Sequence, residues 1–175
     1  SNNNYCFTTT ALTSEIWLIY EQDNDWHAKK VADIADASKV PLPVDISISA
    51  DDGSLWVNTW NDGMTRLFDI SDPFSPKLKS ETSIGEQVNM VSQSWDGKRL
   101  YYTSSLLANW DKTVSTGKDL QYFKIYDYQG GKLEHKLTID FIAEGLGYPH
   151  QMRFGAYSLY GMTAPPQPSK FAGLE

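Results

Sequence analysis

The sequence predicts an all-β fold, and two observations support that prediction. The pattern of residues 44–57 returns at residues 89–102. In both places an alternating strand leads into an acidic turn and then into a second strand, and alternation of apolar with polar residues is typical of half-buried strands. A repeat of about 40 to 50 residues made of short strands is typical of a β-propeller, in which each repeat forms one four-stranded blade. The predicted fold is therefore a β-propeller.

The first blade is predicted over residues 5–34, and it begins at its second strand. That strand is predicted at residues 5–12, the third strand at residues 16–21 and the outer strand at residues 26–34. The third strand ends in an aromatic residue followed by an acid. The outer strand contains lysines, and charge on an outer strand discourages edge-to-edge pairing with other sheets.

Two complete blades are predicted next, over residues 44–84 and 89–139. Their third strands, at residues 65–70 and 123–128, contain an aromatic residue followed by an acid, as the first blade does. Lys, Glu and Ser are frequent in the outer strands, which are predicted at residues 77–84 and 132–139. The three blades therefore share one internal order of strands.

Residues 148–154 are predicted to begin a further blade as its inner strand. Alignment of Met152 with Val91 gives His150 the repeat position of Asn89. The chain is therefore expected to hold about three blades of a larger ring. The remaining N-terminal blades of the same propeller are its expected partner, because an open arc leaves unpaired strand edges at both ends.

The composition argues against several classes of function. A net charge of -7 disfavours binding to nucleic acid or to an anionic membrane surface, since both need a basic footprint. No apolar stretch is long enough for a transmembrane helix, and one cysteine cannot form an internal disulfide. Phosphate-loop, Cys-x-x-Cys and His-Glu-x-x-His motifs are absent from the sequence. Small molecules or other proteins remain as partners, a homo-oligomer stays open, and the Pro-rich residues 161–175 are predicted to form an irregular tail.

Four segments of the sequence, taken together, indicate a protein family more specifically than any one of them does. They are Asp-Ile-Ser-Ile-Ser-Ala-Asp-Asp at 45–52, Leu-Phe-Asp-Ile-Ser-Asp-Pro at 67–73, Trp-Asp-Gly-Lys-Arg-Leu-Tyr at 95–101 and Ser-Ser-Leu-Leu-Ala-Asn-Trp-Asp-Lys at 104–112. Together they resemble the C-terminal region of the selenium-binding-protein family, and within it the bacterial methanethiol oxidases. The similarity extends over most of the chain.

The resemblance implies a seven-bladed propeller that binds copper. It implies oxidation of a small thiol, methanethiol, with oxygen and water to formaldehyde, hydrogen sulfide and hydrogen peroxide. Copper suits such a reaction because it changes oxidation state and accepts imidazole ligands. Bacterial members of the family are typically exported, so a periplasmic location is implied. The chain alone is expected to be inactive, since other copper ligands would have to come from the absent blades.

His150 is the candidate copper ligand. It lies at the entry of a predicted inner strand, where side chains point towards the central channel, and the resemblance implies a histidine in the matching place. The alternative for His150 is a hydrogen bond to a neighbouring blade. His27 and His135 fall on predicted outer strands beside lysines, where a solvated face is the better interpretation.

Four other side chains are weaker candidates. Asp45 and Gln151 occupy equivalent positions on inner strands, where they could orient a metal ligand or, alternatively, tie adjacent blades together. Met90 shares that repeat position and offers a thioether, although methionine in a β core more often serves packing. Cys6 offers a thiol, but free cysteines are usually buried and inert.

Two other functions stay open at this point. Many propellers act as scaffolds without catalysis, because a fold does not determine a function. A carrier of selenium or sulfur species is the third hypothesis, and it would need a reactive cysteine, for which the sequence offers only Cys6.

Overall fold

The computed structural model describes residues 4–106 and 121–152. Within these residues, antiparallel strands form three sheets and no α-helix occurs. The regular helical structure of the described chain is one 3-10 turn at Ala37–Lys39. The prediction of an all-β fold is confirmed.

The first sheet has three strands in the order β1, β2, β3. These strands span Tyr5–Thr10, Glu15–Gln22 and Asp25–Asp33. Phe7 and Leu18 are paired across β1 and β2, and both are buried in an apolar cluster with residues of the second sheet. Cys6 and Ile19 form the next pair and therefore lie on the opposite face, since successive side chains alternate between the faces of a strand.

The second sheet has the full set of four strands, in the order β4, β5, β6, β7. These strands span Pro43–Ile48, Ser54–Thr59, Met64–Asp69 and Lys77–Ser83. The two central strands are mostly buried, whereas β7 is mostly exposed. This gradient fits a blade whose last strand lies at the outer edge.

The third sheet repeats that order as β8, β9, β10, β11. These strands span Val91–Gln93, Arg99–Thr103, Tyr122–Gln129 and Lys132–Asp140. The inner strand β8 covers three residues of the repeated segment that begins at residue 89. Single hydrogen bonds continue the contact beyond it, from Asn89 N to Thr103 O at 2.8 Å and from Thr103 N to Met90 O at 3.2 Å.

The predicted inner strand at residues 148–154 is only partly described. Residues 148–152 do not form a regular strand. Residues 153 and 154 lie outside the described residues, as does the predicted tail at residues 161–175. The segment nevertheless follows the edge of the third sheet. Thr103 Oγ1 donates to His150 O at 2.7 Å. Because residues 153 and 154 are not described, the further inner strand stays a prediction.

Two apolar clusters hold the three sheets together. The cluster between the first and second sheets contains Phe7, Ile16, Leu18, Ile34, Leu55, Val57, Phe68 and Ile70. The cluster between the second and third sheets contains Trp56, Leu67, Ile84, Val88, Val91, Leu100, Tyr102, Tyr122 and Tyr126. Burial of these side chains is the main stabilising contribution to the packing of the sheets.

The connection from β7 to β8 is fixed by side chains of the third sheet. The Tyr122 hydroxyl donates to Gly85 O at 3.1 Å, and Lys124 Nζ donates to Ile84 O. Burial lowers the pKa of this lysine amine. Gly63 meets the same connection from the β5–β6 turn, since a Cβ there would lie 2.5 Å from Gly85 O and its φ is +67°. The connection therefore enters β8 along a well-defined path.

Candidate functional site

His150 lies where the chain, after β11, returns to the inner edge of the third sheet. Its main-chain oxygen accepts a hydrogen bond from Thr103 Oγ1 at 2.7 Å. One repeat earlier, Asn89 O accepts from Asn58 Nδ2 at 2.8 Å. In the second and third sheets, a residue on the second strand thus binds the main-chain oxygen of Asn89 or His150, which share one repeat position.

The imidazole ring of His150 has a defined hydrogen-bond arrangement. Its Nδ1 atom lies 3.1 Å from the main-chain oxygen of Ser105. Because a carbonyl oxygen only accepts, Nδ1 must carry the hydrogen, and neutral Nε2 then keeps its lone pair. His150 is exposed, and no described residue forms a hydrogen bond with Nε2. The open nitrogen is therefore the one that can bind a metal.

The Ser105 carbonyl is shared between His150 and a buried asparagine. Asn89 Nδ2 donates to Ser105 O at 2.6 Å, and the Asn89 side chain has no exposed surface. Asn89 Nδ2 also lies 3.5 Å from His150 Nδ1, but two donors cannot bond to each other. Ser105 itself has φ +79°, which is uncommon for a residue with a Cβ.

Asp45 ties two blades together. Its Oδ2 atom accepts a hydrogen bond from Val91 N at 2.8 Å, which joins β4 of the second sheet to β8 of the third. Gln93 Nε2 donates to Ser47 Oγ at 2.9 Å in the same direction. The hydrogen bond of Asp45 agrees with the alternative that this residue ties adjacent blades together. Its role in orienting a metal ligand stays a prediction.

The inner strands also line an open pocket with a volume of about 360 Å³. Asp45, Gln151 and Met152 are among its lining residues. The remaining lining residues are Ile46, Ser47, Ile48, Ala50, Val91, Ser92, Gln93, Ser94 and Trp95. The structure thus brings Asp45 and Gln151 to one surface, as the repeat predicts for two inner-strand positions.

The sulfur candidates lie in different environments. Met90 is half-buried, and its main-chain oxygen accepts from Thr103 N. Cys6 is exposed on β1, so the expectation of a buried cysteine is wrong. The reason is its position on the face of the first sheet that points away from the second sheet, opposite to Phe7.

The other two histidines lie on outer strands, as predicted. His27 stacks on Tyr20 with ring centroids 5.4 Å apart. His135 packs edge-on against Tyr126 at 5.2 Å, and its Nε2 atom is 2.7 Å from Thr138 Oγ1. Both side chains are exposed, which agrees with a solvated face.

Sequence reasoning did not assign a role to Asn89 or Ser105. The repeat alignment placed Asn89 at the position of His150, yet it gave no reason for an amide there. The available signal was a polar residue in a run of apolar ones, between Val88 and Val91. No sequence signal indicated the positive φ of Ser105.

The described residues alone do not hold enough suitable side chains for a metal site. Within residues 4–106 and 121–152, no three His, Cys, Asp or Glu side chains lie close enough together to hold a metal ion. His150 fits one ligand position, since its Nε2 is open and its Nδ1 is bound to a carbonyl oxygen. Metal-binding histidines typically donate their second ring N–H to such an acceptor. Further ligands would have to come from outside the described residues.

Comparison with known proteins places these features in a family. The model of the 56 kDa selenium binding protein family, SBP56, matches residues 1–157. The chain is 59% identical over 162 residues to a methanethiol oxidase of Ruegeria pomeroyi, covering 91% of this chain and 36% of that protein. It is 52% identical over 155 residues to a methanethiol oxidase of Hyphomicrobium, covering 88% and 35%. The chain therefore spans about a third of the length of these relatives.

Solved structures show the same fold. A hypothetical selenium-binding protein from Sulfolobus tokodaii superposes with a TM-score of 0.68 at 27% identity, over 78% of this chain and 38% of that one. A periplasmic gluconolactonase of Pseudomonas aeruginosa superposes with a TM-score of 0.67 at 16% identity, over 89% and 40%. The predicted β-propeller fold is confirmed. Among the described residues, no helix has the length and apolar character needed to cross a membrane.

Proposed function

Because the chain belongs to the 56 kDa selenium-binding protein family, we propose that it forms part of a copper-dependent methanethiol oxidase. The whole protein would convert methanethiol, oxygen and water to formaldehyde, hydrogen sulfide and hydrogen peroxide. Two relatives with 59% and 52% identity carry the name methanethiol oxidase, and both are matched along nearly all of this chain. The proposal extends their activity to this protein.

The observation that supports this proposal most directly is the hydrogen bonding of His150. The contact between Nδ1 and Ser105 O leaves Nε2 as an acceptor at an exposed position. Imidazole nitrogen is a suitable ligand for copper in both common oxidation states. When bound, copper would supply the capacity to take electrons from a thiol and pass them to oxygen.

Neighbouring residues on the inner strands form the surroundings of His150. The hydrogen bonds of Asp45 and of Gln93 join neighbouring inner strands, which keeps the channel wall in one register. Gln151 and Met152 follow His150 directly and line the open pocket beside those strands. A small thiol could approach along such a wall without a large rearrangement.

Other parts of the proposal concern the whole protein. The remaining blades of the same propeller would contribute the additional copper ligands, since the described residues hold only one histidine suited to the role. A periplasmic location is proposed on the family resemblance, and a homo-oligomer stays open. Catalysis is assigned to the complete ring, and the chain by itself is proposed to be inactive.

The test measures copper in the full-length protein that contains this chain. Copper per protein is determined by elemental analysis after loading and desalting, for the unsubstituted protein, His150→Ala and His135→Ala. Loss of copper and of methanethiol-dependent peroxide formation is expected for His150→Ala only. His135→Ala is the matched control, because it removes an exposed outer-strand histidine.

Two results would contradict the proposal. If His150→Ala kept its copper and its activity, His150 would serve as a tie between blades rather than as a ligand. If the unsubstituted protein bound no copper and oxidised no methanethiol, a non-catalytic scaffold or a selenium or sulfur carrier would be the better account.

A further inference from the structure

Two buried asparagines lie at matching ends of neighbouring blades, and they make it possible to separate packing from positioning. Asn58 and Asn89 each have no exposed surface. Each donates its Nδ2 group to one main-chain oxygen, at 2.8 Å and 2.6 Å. Each also has a side-chain oxygen without a hydrogen-bond partner among the described residues. Asn89 shares its acceptor with His150, whereas Asn58 donates to the main-chain oxygen of Asn89. Substitution of Asn58 therefore leaves the Asn89 side-chain donor to Ser105 in place.

The orientation of the Asn89 amide follows from the short distance to Ser105. A flipped amide would place Oδ1 at 2.6 Å from Ser105 O, where two acceptors repel each other. Nδ2 must therefore face Ser105 O. The same carbonyl oxygen accepts from His150 Nδ1 at 3.1 Å, and a carbonyl with two lone pairs can accept both hydrogens.

The backbone at Ser105 needs such support. Its φ of +79° lies in a region that a residue with a Cβ seldom adopts, and such conformations persist only where the surroundings determine them. Ser105 is 4% exposed, and its carbonyl is aimed at the Asn89 amide and the His150 ring together. Without the Asn89 donor, the peptide at Ser105 would be less constrained.

We propose that Asn89 is a positioning residue for His150. By holding the strained Ser105 carbonyl, it keeps the histidine hydrogen on Nδ1 and leaves the Nε2 lone pair on the side of the ring away from Ser105. The metal-binding consequence rests on the proposed function, whereas the effect on the ring does not. Asn89 would act through Ser105 and touch neither copper nor substrate.

The first test reads the histidine tautomer without copper. The full-length protein is labelled with ¹⁵N in its histidines, and the ring nitrogens are observed by NMR at a pH where the ring is neutral. The His150 signals are assigned by their loss in His150→Gln. The expected result is a protonated Nδ1 and an unprotonated Nε2. A hydrogen found on Nε2 in the unsubstituted protein would overturn the proposal before any variant is made.

The second test compares Asn89→Ala with Asn58→Ala. Both substitutions remove one buried amide and one hydrogen bond to a main-chain oxygen. Asn89→Ala should give a mixture of His150 tautomers, whereas Asn58→Ala should keep hydrogen on Nδ1. If both variants keep the original tautomer, or both lose it to the same extent, the role of Asn89 is structural only. If Asn89→Ala does not fold, Asn89→Leu, which is close in size and has no amide donor, is measured in its place with the same expected result.

Copper affinity provides a separate measurement on the same proteins. Loss of a residue that orients a metal ligand typically lowers metal affinity by about 10- to 100-fold, and that decrease is expected for Asn89→Ala but not for Asn58→Ala. Equal affinities for the two variants would overturn the metal-binding consequence. If the unsubstituted protein binds no copper at all, the proposed function fails, while the tautomer result still decides the role of Asn89.

Discussion

The two interfaces between the three sheets have different chemistry. The buried part of the interface between the first and second sheets is mainly aliphatic, with Phe7 and Phe68 as its buried aromatic members. The interface of the second and third sheets contains three tyrosines and is crossed by directional hydrogen bonds. These run from Val91 to Asp45, from Gln93 to Ser47, from Asn58 to Asn89 and from Tyr102 to Thr65.

The difference indicates a division of tasks. Apolar burial stabilises without favouring one orientation, whereas a hydrogen bond holds its partners at a fixed distance and angle. The interface that leads to His150 is the directional one. Burial raises the pKa of Tyr102 far above its usual range, so its hydroxyl stays neutral and its hydrogen-bond role does not change with pH. Substitutions in the two interfaces should therefore have different consequences.

The largest effect on stability is expected for Leu18→Ala in the aliphatic interface. Leu18 has no exposed surface, and truncation of a buried leucine to alanine typically costs about 2–5 kcal/mol. Urea unfolding of the full-length protein should show that loss, while the proposed copper binding at His150 should be unchanged. Leu12→Ala is the control, since Leu12 is 71% exposed and its substitution should stay within about 0.5 kcal/mol. A cost for Leu18→Ala no larger than that of the control would contradict the assigned packing.

A smaller effect of a different kind is expected for Tyr122→Phe. The substitution removes a hydroxyl that contacts Gly85 O and Glu86 O, each at 3.1 Å, and loss of such a bond typically costs about 1 kcal/mol. Hydrogen exchange should accelerate in the connection at residues 84–88 and spread to Asn89. Tyr5→Phe is the control, because Tyr5 is half-buried and packs edge-on against Phe7 in the first sheet. Unchanged exchange at residues 84–88 would show that the hydroxyl does not hold this connection.

Some features of the two interfaces could be predicted from the sequence. The repeat of residues 44–57 at 89–102 predicted the sheets and the shared position of Asn89 and His150, because strand alternation and turn chemistry are local properties. The exposure of Cys6 and the pairing of Asn89 with Ser105 depend on neighbours distant in sequence. A positive φ at a serine also has no local signature, since only tertiary contacts stabilise it.

The smallest effect on stability is expected on the face of the first sheet that carries Cys6 and points away from the second sheet. There Glu15 bonds to Lys30 Nζ at 2.9 Å and to Trp17 Nε1 at 3.0 Å. These contacts, chiefly the one to Lys30, lower the pKa of Glu15 from 4.5 to about 2. A lowered pKa in the folded state means that the contribution to stability is complete above about pH 4.5 and is lost as the pH falls towards 2.

The titration of Glu15 therefore tests whether polar contacts on this face are independent of the two interfaces. Carboxyl ¹³C NMR should give a midpoint near the lowered pKa in the unsubstituted protein, and Lys30→Met should raise it towards the ordinary value. The apolar cluster around Leu18 on the opposite face contains no carboxyl group or imidazole. Signals of that cluster should consequently stay unchanged while Glu15 titrates. If the signals of the cluster shifted together with the Glu15 carboxyl, the two faces of the first sheet would be coupled. That result would contradict the view that apolar burial in the first interface acts independently of polar contacts.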